Sequence, residues 1–140
     1  MAEAVFRQQV AAAGLSHQIQ VASAGTGGHF AGQAAHAGTR RVLAAHGIRS
    51  SHRARQVSQQ DLAEADYLVA MDSDNLMDLA RMDRRQVTEG KRSLLLSHTP
   101  ETSRREVPDP YFRGNFEETY RLVEAGCQAL LDKIRREHQI

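Results

Sequence analysis

One cysteine, three prolines, no tryptophan and an aromatic share of 5% make up the scarce side of this 140-residue chain. Each scarcity excludes something. A single cysteine cannot close an internal disulfide, which fits a reducing compartment, and a cytoplasmic location is expected. Charge of one sign is lacking as well. Lys and Arg total 18 against 17 Asp and Glu, a formal net of +1. No strong field is there to recruit nucleic acid or a membrane surface, and neither partner is expected. The arginines fall in scattered doublets such as Arg40–Arg41, Arg84–Arg85 and Arg135–Arg136, a solvated surface rather than a binding stripe. No apolar run approaches membrane-spanning length, and no signal-type leader is read at the start. None of the seven histidines has metal-ligand spacing with other ligand types, so no metal and no cofactor is expected. Repeats, low-complexity tracts and linkers are missing too. What remains is one soluble domain over 1–140.

The hydrophobic pattern then supplies elements. In "MAEAVFRQQVAAAGL", Ala2, Phe6, Val10 and Ala13 recur at helical spacing with Met1 and Val5 beside them, and Gly14 is a natural stop. No Ser, Thr, Asp or Asn precedes this helix to hold its first free N–H groups. "HQIQVASAGT" alternates and then turns small, which reads as a strand over about 18–23 running into a glycine-rich loop from Gly25 to Gly38. A short helix follows with Val42 and Leu43 buried and Gly47 ending it. "VSQQDL" is a helix start, with Ser58 as cap, Asp61 three residues on, and Val57 stapled to Leu62. "DYLVAMD" gives a short buried strand at 67–71, "SDNLMDLARM" a helix capped by Asp72 or Ser73, and "RSLLLS" another buried strand. Asn115 caps the last helix, whose stripe runs Phe116, Tyr120, Val123, Cys127, Leu130, Ile134. Cys127 therefore reads as a buried small hydrophobe rather than a reactive thiol. Strands alternating with helices argue an α/β domain with a parallel sheet. Ligands of such sheets sit at the carboxyl ends of the strands, which would bring "SAGT", "MDSDN" and the "DPYF" loop together.

Chemistry concentrates in "EVPDPYFRGNF". Prolines on both sides restrict the backbone around Asp109, and Tyr111 and Phe112 add a flat apolar wall. A carboxyl beside aromatic surface can be held protonated long enough to donate a proton. The plainer reading is a turn, since Asp-Pro is common in turns. Residue chemistry alone stops at an α/β domain with one candidate acid.

Taken together and in register, "SAGTGG", "HRARQVSQQDLAEADYLVAMDSDNL" and "VPDPYFRGNFEETYRLVEAGCQALL" resemble the low-molecular-weight protein tyrosine phosphatases of bacterial type, essentially from Met1 to the end. The resemblance implies a three-layer sandwich, a small parallel sheet flanked by helices. It also implies hydrolysis of phosphotyrosine, in a protein or a small aryl phosphate, through a cysteinyl-phosphate intermediate. Asp109 matches the family's general acid, which protonates the leaving phenolate and then serves as base for the hydrolytic water. Tyr111 and Phe112 match the wall along the phosphotyrosine ring, with Phe112 where a tyrosine is usual. Ser23 and His52 match polar residues that brace the phosphate loop, and Ala54, Arg55 and Gln56 match as well. His29 stands where an aromatic usually guards the pocket, and Ala34 where proline is common. Those two departures bear on substrate preference.

The family's phosphate loop, C-x-x-x-x-x-R-[ST]-P, and the central strand before it have no counterpart in these residues. The nucleophile and the arginine that grips the dianion are thus expected to be absent from this chain, leaving it inactive as written. The absent strand would lie between those matching 18–23 and 66–71, so unpaired edges and a weakened fold are expected. The alternatives are a non-catalytic truncated relative acting as an interaction module and, among enzymes, an arginine-phosphate phosphatase.

Overall fold

The computed structural model describes residues 1–26, 37–50, 55–99, 104–108 and 115–140. Seven helices and strands occur among them: α1 (Ala2–Ala12), α2 (Ala37–Ala45), α3 (Gln59–Glu64), β1 (Leu68–Ala70), α4 (Ser73–Met82), β2 (Arg92–Leu94) and α5 (Phe116–His138). Short 3-10 turns over Glu89–Lys91 and Leu95–His98 bracket β2.

Local chemistry sets most helix ends. Ser58 accepts a hydrogen bond from the Asp61 N–H (3.2 Å), while the Asp61 carboxylate accepts from the Ser58 N–H (2.8 Å), a complete capping box for α3. Asp72 caps α4 through the Asn75 N–H (2.8 Å), and Asn115 caps α5 through the Glu118 N–H (3.0 Å). At the end of α1, Gly14 has φ +74, a conformation that glycine adopts without strain. There the Leu15 N–H donates to the Val10 carbonyl (2.9 Å) and the Gly14 N–H to that of Ala11 (3.0 Å), and Leu15 packs on Val10. Gly47, Leu43 and Ile48 repeat the arrangement at the end of α2. The start of α1 differs: no side chain caps it.

The two strands pair in parallel, Leu68 with Arg92, Val69 with Ser93 and Ala70 with Leu94. Alternation along β1 sorts its residues between two cores. Leu68 and Ala70 pack with Leu62 of α3 and Leu79 of α4, while Val69 faces Val5, Leu43, Leu95 and the α5 stripe. Helices thus cover both faces of the strand pair, as expected for an α/β domain. Burying a stripe of five side chains on α5 (Tyr120, Val123, Cys127, Leu130 and Ile134) is the largest single contribution to the first core. Close approach of α5 to the Leu95 turn depends on Gly126, where an added Cβ would meet Leu95 Cγ at 2.7 Å.

Three details depart from expectation. Residues 18–23 form no strand: Gln18 lies in a turn, 19–24 carry no regular secondary structure, and the bridge that follows, Gly25 with Gln56, lies beyond them. A strand is made by its neighbour's hydrogen bonds, and alternation alone does not supply a neighbour. The second buried run is strand only through Leu94. Leu95 and Leu96 then coil, so that both can enter the core against α5. On α1 the fully buried positions are Val5 and Val10, with Ala2 and Phe6 half-buried, so the face is rotated slightly from the Ala2–Phe6 line.

Candidate functional site

Three chain segments converge at the carboxyl end of β1. The first is the end of the 19–26 stretch. Gly25 donates to the Arg55 carbonyl (2.7 Å) and accepts from the Val57 N–H (2.8 Å). Thr26 Oγ1 then reaches α4, lying 3.0 Å from Asp78 Oδ2 and 3.2 Å from Asn75 Oδ1. The second segment is Met71–Asp72, where β1 gives way to the cap of α4. The third is the stem that leads into "PDPYF". Its Glu106 carboxylate accepts from the Ser73 N–H (2.8 Å), and its Val107 N–H donates to the Met71 carbonyl (2.8 Å). Thr119 Oγ1, in the first turn of α5, lies 3.3 Å from the Pro108 carbonyl. "SAGT", "MDSDN" and the stem of the acid segment are therefore neighbours, as strand-end logic requires.

Ser23 is half-buried and donates to Glu3 Oε1 at 3.1 Å. Glu3 also pairs with Arg7 (3.5 Å), so Ser23 is tied to the first turn of α1. Arg55 forms a two-pronged contact with Asp61, at 2.8 and 3.4 Å. That guanidinium, with the Ser58 hydrogen bonds, holds the Asp61 carboxyl below the ordinary range and raises Arg55 in turn. The Ser73 N–H likewise lowers the Glu106 carboxyl. Of the residues that sequence reasoning singled out, Asp109, Tyr111, Phe112, His29 and His52 lie outside the described residues.

Cys127 is 1% exposed on α5, with Sγ 3.8 Å from the Ala2 carbonyl. Burial pushes its thiol up to about 12. At neutral pH it stays a thiol, which removes it as a nucleophile. Among the described residues no group of three or more His, Cys, Asp or Glu side chains could hold a metal ion. No helix among them is long and apolar enough to cross a membrane. A groove of about 370 Å³ lies at the other end of the strand pair, beside Tyr67, Lys133, Glu137 and His138. Tyr67 there donates to Glu137 and is raised to about 12 by burial and that carboxylate, so it offers no proton transfer near neutral pH.

The sequence profile described as "Low molecular weight phosphotyrosine protein phosphatase" matches residues 1–140. The chain belongs to that family. Its similarity to the low molecular weight protein-tyrosine-phosphatase YfkJ of Bacillus subtilis is 42% identity over 141 residues, covering 100% of this chain and 90% of that protein. The crystal structure of YfkJ superimposes with a TM-score of 0.93, covering 97% of this chain and 86% of that one. Drosophila arginine phosphatase superimposes with a TM-score of 0.85 at 30% identity, covering 96% and 88%. Within this phosphatase fold, sequence reasoning had passed over Glu3, Asn75, Asp78 and Glu106. Asn75 and Asp78, three apart on one helix face, carried a signal of sorts. Glu3 and Glu106 carried none, because their partners are remote in sequence.

Proposed function

We propose that these residues form the acid side and the scaffold of a phosphotyrosine phosphatase site, with Asp109 as general acid. Asp109 protonates the leaving phenolate and then takes the proton of the hydrolytic water. Tyr111 and Phe112 flank the aromatic ring, His29 stands at the rim, and Ser23 and His52 brace the phosphate-binding side. The observation that carries this reading is the Val107–Met71 hydrogen bond (2.8 Å). It holds the stem of the acid segment at the carboxyl end of β1, two residues before Asp109. A cytoplasmic setting goes with the single cysteine.

The nucleophile is not among these 140 residues. The one cysteine is buried Cys127, and the sixth residue beyond it is Lys133 rather than arginine. The polypeptide of 140 residues is therefore expected to leave phosphotyrosine intact. The test is turnover of p-nitrophenyl phosphate and a phosphotyrosine peptide by the purified chain, beside Asp109→Ala and Cys127→Ser. All three should match the buffer rate. Turnover that disappears in Cys127→Ser would overturn the nucleophile assignment, and turnover unaffected by Asp109→Ala would overturn the acid.

A second reading, cleavage of phosphoarginine, is favoured by the likeness to Drosophila arginine phosphatase (TM-score 0.85). A phosphoarginine peptide belongs in the same assay. Turnover of it above that of phosphotyrosine would make this the better reading.

A further inference from the structure

Three successive residues of the acid segment's stem are tied to three different elements. Glu106 is bonded to the start of α4, Val107 to the end of β1, and the Pro108 carbonyl to the first turn of α5. Only the first tie involves a charge. Asp72 and Glu106 each take one free N–H group in the first turn of α4, Asp72 that of Asn75 (2.8 Å) and Glu106 that of Ser73 (2.8 Å). A carboxylate at this place also meets the positive end of the helix dipole.

The chain between this tie and Asp109 has little freedom left. The Val107 N–H is engaged, the Pro108 ring locks its own φ, and Pro110 restricts the backbone of Asp109. With few free rotations left at Val107 and Pro108, the seat of Glu106 bears directly on the course of the stem that leads to Asp109. We propose that Glu106 is a positioning residue: seated on the Ser73 N–H, its carboxylate sets the direction in which the chain enters Asp109. The proposal rests on Asp109 being the acid. The Glu106 carboxyl, held below the ordinary range chiefly by the Ser73 backbone hydrogen bond, keeps this tie ionised throughout the neutral range.

A helix cap and nothing more would act on α4 alone, whereas a positioning residue acts on the stem as well. Amide exchange followed by NMR on the 140-residue chain separates the two, using Glu106→Ala, which loses the acceptor, and Glu106→Gln, which keeps an acceptor without charge. In Glu106→Ala, exchange at both Ser73 and Val107 should quicken about tenfold, with Leu79 in the α4 interior unchanged. Glu106→Gln should fall between that variant and the parent. Quickening at Ser73 with Val107 unchanged would overturn the proposal and leave a plain cap. A titration of the parent chain needs no folded variant: the Val107 amide shift should move with a midpoint below the ordinary glutamate range. A Val107 amide that does not move there overturns the proposal too. None of these readouts depends on turnover, so they test the tie at Glu106 separately from the assignment of Asp109 as the acid.

Discussion

The Val107 N–H and the Met71 carbonyl lie 2.8 Å apart, and this one bond joins the carboxyl end of β1 to the segment that bears Asp109. It spans 36 positions of sequence, the difference between the two residue numbers. Its consequence is placement. The stem two residues before the proline-flanked Asp109 is held at the strand end where a parallel sheet receives ligands. The first turns of α4 and α5 support the same stem, so its position depends on packing around both helices.

Cys127 should be inert in the native chain. With its thiol raised from an ordinary 9.0 to about 12, the thiolate fraction at neutral pH drops by about a thousandfold. Ellman's reagent should therefore label the chain promptly in guanidinium and very slowly without it. Equal rates in the two conditions would contradict the burial of Cys127.

Replacement of Gly126 by alanine should destabilise the fold. Helix propensity alone favours alanine by ~1 kcal/mol. The new Cβ, however, would stand 2.7 Å from Leu95 Cγ, in a core where Leu95 is 1% exposed. Overpacking of that kind costs about 1–3 kcal/mol, so a net loss of about 1 kcal/mol is expected in a urea titration. A gain in stability would show that the Leu95 turn yields easily.

Acid should weaken the link between α4 and β2. The Asp83 carboxylate accepts from the Val87 N–H (3.0 Å), the Thr88 N–H (2.8 Å) and the Thr88 hydroxyl, and Thr88 is fully buried. Chiefly the Thr88 hydroxyl, then the backbone N–H groups, lower the Asp83 carboxyl. A carboxyl depressed in the folded state contributes stability that is complete above its unfolded value of about 3.9 and lost as pH falls through the folded one. Thermal melts should decline below about pH 4. Asp83→Asn should start from a lower melting temperature at pH 7 and fall less steeply in acid. Parallel acid profiles would remove Asp83 as a source of this dependence.

The 140-residue chain should unfold over a broad range. Residues 19–24 pack Ile19 and Val21 on the cores without forming a ladder among the described residues, and the strand pair is only three residues deep. Backbone groups that rely on water rather than on a neighbouring strand contribute little cooperativity. Calorimetry should give a van't Hoff enthalpy different from the measured one. A sharp two-state transition would show that the described cores suffice.

The legible parts of this protein are the local ones. Ser58 with Asp61, Asp72 with Asn75, Asn115 with Glu118, and the glycines at 14 and 47 act within a few residues, so helix ends can be read along the chain. The α5 stripe is legible too, because burial of Tyr120, Val123, Cys127, Leu130 and Ile134 follows the helical repeat itself. Where a partner lies far along the sequence, legibility ends. The alternation of 18–23 resembles a strand, but a strand exists only with a neighbour. The run at Leu94–Leu96 looks like strand throughout, yet α5 draws Leu95 and Leu96 into a tight turn.

The candidate site divides along the same line. The sequence alone determined the family, the α/β class, the unusual pair of prolines around Asp109 and the unsuitability of Cys127 as a nucleophile, since each is a matter of residue order or helical period. Tertiary structure decided that Ser23 is held by Glu3, that Thr26 rests on Asn75 and Asp78, and that Glu106 sits at the start of α4. Those contacts join residues between 20 and 52 positions apart. Their energies depend on distances of about 3 Å, which only the packing of the helices against the strands can set.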